Sequence, residues 1–263
     1  MALDELSSAR AELRARQGLG ARYDAPNAPA LELDWARRGT AYFARKLNEL
    51  VDADLDAPSL VDGWSRREVV ASVGYHARAL TRITERARTG SDLHMFSSPG
   101  QRAGEIADGA TLPPGALRHL VAHADVHLNV EWRDLGEADW DRPLETGRGK
   151  LSTARETPWM RACEVWLRAL DIGGGGSMCD LPPAFLRALI VRRASLLGLV
   201  ATTADGPASD RMTLIINGRT VAGRSGRLAE WLFGYGAAEL ASEGDLPIIN
   251  VPDRRNLISE YVR

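Results

Sequence analysis

The sequence predicts a mainly α protein, a four-helix bundle followed by a small α+β domain, and three observations carry that expectation. Four long stretches repeat apolar residues at helical spacing across the first two-thirds of the chain. A glycine run, Gly173 to Gly176, follows the last of them, and beyond it helix-like and strand-like patterns are arranged around an Asn-Gly pair. The 263 residues, 44% hydrophobic and 26% charged, are enough to bury a core of that kind.

The elements follow in chain order. The opening MALDELSSARAELRARQG alternates acid and base, so residues 1–24 are read as a charged extension, solvated or used as a dimer or partner contact. The first bundle helix is expected from Leu31 to Val51 and the second from Ser65 to Arg88, where Ser65 and Glu68 have the spacing of a capping box. The third runs from Pro114 to Arg133. The segment Asp134 to Glu156, rich in Gly, Pro and charge, is too long for a minimal bundle connection and is expected to carry short strands or to lie over the bundle mouth as a lid. The fourth helix spans Thr157 to Asp171, with Thr157 as its cap and Pro158 at the first helical position. The glycine run reads as a flexible joint, dividing a bundle at 25–175 from a C-terminal domain at 176–263. In that domain a helix is expected from Pro182 to Ala201, a hairpin over Met212 to Gly223 turning at Asn217-Gly218, and a helix from Arg227 to Phe233.

Bulk charge narrows the function. Lys and Arg number 33 against 35 Asp and Glu, leaving a net charge of −2, which offers no electrostatic footprint for nucleic acid or an anionic membrane. No apolar leader or membrane-length run is visible, so a cytoplasmic location is expected. Cys163 and Cys179 are too few for a disulfide framework and form no CxxC pair. The expected partner is a small-molecule substrate, with the chain a monomer or homodimer.

Three polar sets invite chemistry. His119, His123 and His127 stack along one helix face, but at ~1.5 Å rise per residue they spread over about 12 Å, so at most two can share an ion and a plain polar face is the simpler reading. Glu164 and Arg168, four apart on the fourth helix, read from spacing alone as an ordinary ion pair. On the second helix Ser72, Tyr75, His76 and Ala79 share a stripe among apolar residues, where a lone histidine is more often a core or surface residue than a catalyst.

The blocks GWSRREVVASVGYHARAL, MFSSPGQRAGEIADGATLPPGALRHL and ETPWMRACEVWLRALD occur in this order, and from about residue 31 onward the chain resembles the mycothiol-dependent maleylpyruvate isomerases of actinobacteria, relatives of the DinB-like metal-binding bundles. The resemblance implies a DinB-like four-helix bundle whose zinc is held by a histidine on the second helix and a Glu-x-x-x-His pair on the fourth, beside a small C-terminal domain that closes the site. It implies that the zinc activates the mycothiol thiol, which adds to a cis double bond and lets it rotate. Carried onto this chain, those ligand positions fall on Ser72, Glu164 and Arg168, and a functional arginine of a Gly-Arg-Gly turn falls on Tyr235 within GRLAEWLFGYG. Only Glu164 is retained. A serine hydroxyl is a poor zinc ligand and a guanidinium cannot become one. Arg168 set ~4 Å from a divalent ion would be repelled by roughly 8 kcal/mol at an effective dielectric of about 20.

Neither zinc nor mycothiol is therefore expected as a cofactor; a salt bridge between Glu164 and Arg168 is expected at the metal position. A relocated metal site using His76 or Cys163 is disfavoured, since His76 sits about 6 Å along its helix from Ser72 and Cys163 points ~100° away from Glu164. The leading functional expectation is a metal-independent isomerisation, elimination or cyclisation of an anionic or conjugated metabolite. In it Arg168 binds a carboxylate or oxyanion, and Glu164, His76 or Tyr235 moves the proton. Ser72, Tyr75, Cys163, His123 and His127 are the expected substrate-lining residues. A non-catalytic binding protein on the same fold and a retained thiol-dependent isomerase or transferase are the alternatives.

Overall fold

The structure is a computed structural model that describes residues 23–146, 150–203, 210–236, 240–242, 245–249, 251 and 253–256. The expected N-terminal extension falls almost wholly outside the described residues.

Four long helices form the bundle: α1 (Ala30–Asn48), α2 (Arg66–Thr89), α4 (Pro114–Asp134) and α5 (Thr157–Asp171), with a shorter α3 (Gln101–Ala110) between the second and third. The α2 start is the expected capping box, in which the Ser65 amide donates to Glu68 Oε2 at 2.7 Å and the Glu68 amide to Ser65 Oγ at 3.4 Å. The same helix ends on Gly90, whose φ of 73° no side chain adopts cheaply and whose amide donates to the Arg86 carbonyl. At the head of α5 Thr157 does not cap. It is the first helical residue, and its hydroxyl accepts from the Trp132 indole at 3.0 Å while donating to the Ala154 carbonyl at 2.7 Å. Helix α3 was not legible because it buries only Ile106 and Gly109, too few for an apolar period.

The segment between α4 and α5 carries strands as expected: β1 (Pro143–Thr146) pairs antiparallel with β2 (Lys150–Thr153) and turns Leu144 and Thr146 inward. After α5 come α6 (Pro183–Leu196), β3 (Val200–Thr203), β4 (Arg211–Ile216), β5 (Arg219–Arg224), α7 (Ser225–Leu232) and the two-residue β6 (Ala241–Ser242). The strands form an antiparallel sheet in the order β3-β4-β5-β6. The hairpin turns at Asn217 and Gly218, with φ of 50° and 77°, the left-handed pair that a two-residue turn needs. The expected helix to Ala201 stops early because Gly198 adopts a φ of 70° and the β-branched residues after it pair with β4.

The C-terminal elements share a core with the bundle. Phe185 of α6 packs on Trp35 of α1 (5.5 Å between centroids) and on Trp159 of α5 (5.4 Å). Helices α1 and α5 approach so closely that a Cβ at Gly39 would stand 2.5 Å from Val165, and the Trp166 indole donates to the Trp35 carbonyl across the contact. Gly176 is likewise packed, since a Cβ there would lie 3.0 Å from the Ala169 carbonyl oxygen and the Tyr42 hydroxyl. The end of the glycine run is a fitted connection.

Candidate active site

Every residue of α5 is buried. A helix apolar on all sides belongs in a core, yet α5 carries Arg161, Glu164, Arg168 and Asp171 at intervals of three, four and three, which places all four on one face. The face meets α2, and the two helices run antiparallel. The Leu60 amide, just before α2, donates to the Asp171 carbonyl; Ser72 meets Glu164; and the Val73 carbonyl accepts from Arg161 Nη1 at 2.8 Å. His76, one turn beyond Ser72, therefore comes level with Arg161.

The charges alternate along this face. Arg168 Nε donates to Glu164 Oε1 at 3.2 Å and its Nη1 to Asp171 Oδ2 at 2.9 Å, with all three side chains essentially excluded from solvent. The Ser72 hydroxyl shares its proton between the Val69 carbonyl at 2.8 Å and Glu164 Oε1 at 3.2 Å. The Arg168 guanidinium lies 5.1 Å from the Trp64 ring centroid. Asp171 Oδ1 accepts from the Tyr235 hydroxyl at 2.7 Å and from Arg254 Nη1 at 3.0 Å, and the Arg254 guanidinium also covers the Tyr235 ring. At the other end Arg161 reaches Asp125 only at 3.5 Å, while Asp125 accepts from the Thr40 hydroxyl at 3.0 Å.

Not every polar atom in the cluster is paired. Among the described residues, both ring nitrogens of His76, Arg161 Nε, Glu164 Oε2 and Arg168 Nη2 are buried with no hydrogen-bond partner. Burial, reinforced by the charges of Arg161, Arg102 and Arg168, holds the His76 pKa well below its ordinary value, so the ring is neutral near pH 7. Burial pushes the Tyr235 hydroxyl well above its ordinary value, with Asp171 adding to the shift, so the phenol keeps its proton and gives a hydrogen bond to Asp171. Burial works against the charge of Arg168, but Glu164 and Asp171 outweigh it and raise its pKa. At Arg161 burial prevails and the pKa falls, despite Asp125 and Glu164.

Of the residues expected at the site, Ser72, Glu164, Arg168 and Tyr235 join one hydrogen-bonded chain, and His76 lies beside it. Four others are placed elsewhere. Cys163 is buried with its thiol pushed far up by burial, on the part of α5 turned away from Glu164. Tyr75 packs against Gly109 of α3 under the Arg78 guanidinium. His123 stacks on His119 at 5.9 Å, and His127 sits 3.7 Å from Glu131, both on the exposed face of α4. The structure thus brings none of Tyr75, Cys163, His123 or His127 into the chain. Arg161, Asp171, Trp64 and Arg254 were missed. The first two were visible as members of one charged stripe in α5; Arg254 arrives from the C-terminal segment with no local signal.

The model of the mycothiol maleylpyruvate isomerase N-terminal domain family matches residues 36–173. The chain belongs to the mycothiol-dependent maleylpyruvate isomerase family. Its fold is similar to the crystal structure of a mycothiol-dependent maleylpyruvate isomerase, with a TM-score of 0.75 and 32% identity over 83% of this chain and 95% of that one. A histidine-to-alanine mutant of a mycothiol-dependent maleylpyruvate isomerase matches with a TM-score of 0.74, at the same identity and coverage. No curated protein matches the chain in sequence. The match supports the mainly α, DinB-like bundle with its small sheet region. Among the described residues no helix is long and apolar enough to cross a membrane. Within this member of the maleylpyruvate isomerase family, the three positions at which metal ligands are implied are adjacent in space and joined through Glu164 Oε1.

Proposed function

We propose that this member of the maleylpyruvate isomerase family is a small-molecule enzyme whose acid/base chemistry runs on a built-in guanidinium in place of zinc. The observation that supports it most is the position of Arg168, bonded at once to Glu164 and Asp171. Zinc does not fit this donor set: Ser72 gives its proton to two acceptors, Arg168 has no lone pair to offer, and a divalent ion beside Glu164 would face a buried cation. Among the described residues no three His, Cys, Asp or Glu are grouped to hold one ion.

The substrate proposed is an anionic or conjugated metabolite. Arg168 carries a permanent charge that stabilises a developing oxyanion through Nη2, and Glu164 keeps Oε2 available to take a proton. Neutral His76 can pass that proton on. Tyr235 supplies a fixed dipole on Asp171 rather than a mobile proton. The solved relatives are mycothiol-dependent by their descriptions, which makes that thiol the first co-reactant to supply in an activity screen.

Elemental analysis of protein purified without chelator or affinity tag tests the reading. Wild type should contain no stoichiometric zinc and the Ser72→His, Arg168→His double variant should acquire it. Stoichiometric zinc in wild type would overturn the guanidinium reading. A screen of carboxylates and conjugated acids, with and without mycothiol, then separates an enzyme from a binding protein, which would be stabilised by a ligand without making product.

A further inference from the structure

The two ends of the charged face differ in how well they are satisfied. From Glu164 to Arg254 each guanidinium touches a carboxylate within 3.2 Å. Toward His76 the pairing fails. Arg161 is completely buried and its Nη1 bonds the Val73 carbonyl, yet among the described residues it has one carboxylate, at the limit of contact, and an Nε with no partner. Among the described residues neither ring nitrogen of His76, 6% exposed, is bonded, and the charges acting on it are those of three arginines. A buried guanidinium left short of partners is destabilising, and a neutral imidazole without a partner adds its own desolvation. A core built for stability alone would carry apolar side chains at these positions.

We infer that His76, Arg161 and the Nη2 edge of Arg168 form a buried oxyanion pocket that takes a small carboxylate bearing a neighbouring hydroxyl. The donors are of the right kind: guanidinium N–H groups match a carboxylate in geometry and charge, and the neutral imidazole adds one N–H. The positive charges of Arg161, Arg102 and Arg168 act on His76, and they favour an anion over a cation beside it. The hydroxyl follows from Glu164, whose unpartnered Oε2 stands three residues along α5 from Arg161 and can only accept. The inference rests on the proposed use of this face for anionic substrates and adds the chemical class. Metal content decides that reading and anion binding decides this one, so the two fail separately.

The test is titration of the full chain with glycolate and with acetate, at constant ionic strength with chloride as background. It is followed by the imidazole nitrogen resonances of His76 and by the melting temperature. Glycolate should move the His76 resonances saturably, raise the melting temperature and bind more tightly than acetate. His76→Phe should weaken glycolate roughly 10- to 100-fold, the effect of losing a charge-assisted contact in a buried site, whereas His119→Ala on the exposed face of α4 leaves it unchanged. His76 resonances that stay still in folded wild type, or glycolate binding equally to His76→Phe, would overturn the pocket. Acetate binding as tightly as glycolate would overturn the Glu164 contact.

Discussion

Helices α4 and α5 each carry a polar stripe with helical spacing, and the two have opposite fates. The histidines at 119, 123 and 127 lie on solvent, where His119 and His123 merely stack. Arg161, Glu164, Arg168 and Asp171 lie in the core, none more than 1% exposed. The difference comes from what surrounds each stripe. The remaining positions of α5 are nearly all Trp, Met, Leu, Val, Ala or Cys, so no face is left for water and the charged stripe is carried inside with the rest. In α4 the buried side is a separate apolar line through Leu117, Leu120, Val121, Ala124 and Leu128, which leaves the histidines out. A polar stripe is thus carried into the core when its helix has no apolar-free face to give to water.

The buried stripe depends most on Arg168, which pairs with both of its carboxylates. Removing its guanidinium in Arg168→Ala leaves Glu164 and Asp171 buried without their shared cation, and unfolding by denaturant should show a loss of about 3 to 5 kcal/mol. A loss below about 1 kcal/mol would mean that water reaches the face and that α5 is not the dry element described. The next effect is a pH dependence at His76. Its folded pKa lies below the unfolded value, so the unfolded chain binds the extra proton. Stability contributed by the neutral ring is present above about pH 6.5 and falls with pH below it, by up to ~1.4 kcal/mol per pH unit. His76→Phe should flatten that part of the stability profile, measured between pH 7 and the onset of carboxylate titration at roughly pH 5.

Much of the architecture was legible. Ser65 and Glu68 announced the start of α2, Asn217-Gly218 announced the hairpin, and the apolar period gave four bundle helices close to their observed bounds. What was not legible depends on contacts between distant segments. No local pattern places Arg254 on Asp171, 83 residues away, or says that Gly198 will end α6 so that β3 can pair with β4. The site was half legible for the same reason. The Glu164–Arg168 pair follows from helical spacing and its place at the metal position from the family resemblance, but the role of Asp171 as the second carboxylate requires knowing that the end of α5 is buried beneath Tyr235 and the C-terminal segment.

Tyr235 stands where the C-terminal elements meet α5. Its hydroxyl gives Asp171 a third hydrogen bond, beyond those of Arg168 and Arg254. Tyr235→Phe therefore leaves the carboxylate still paired, and the cost should stay near ~1 kcal/mol, well short of the Arg168→Ala effect. A loss as large as that of Arg168→Ala would show that the phenol, and not the two arginines, keeps Asp171 in place. A melting curve of both variants under one condition distinguishes the cases.

The smallest effect belongs to α4. Among the described residues His123 makes one ring contact and no hydrogen bond, and its side chain is open to solvent, so His123→Ala removes little that folding created. His119→Ala falls in the same class. Each should change stability by no more than about 0.5 kcal/mol, the range of surface substitutions that touch no cap, pair or cavity. Alanine also has the higher helix propensity, which acts in the opposite direction to the lost stacking and brings the net change closer to zero. His127 is the informative exception, because it stands 3.7 Å from Glu131, which Arg88 holds at 3.0 Å. If His127→Ala costs more than the other two below pH 6 and matches them at pH 8, the contact with Glu131 carries charge. If the three variants superimpose at both values, the α4 stripe is solvated surface throughout.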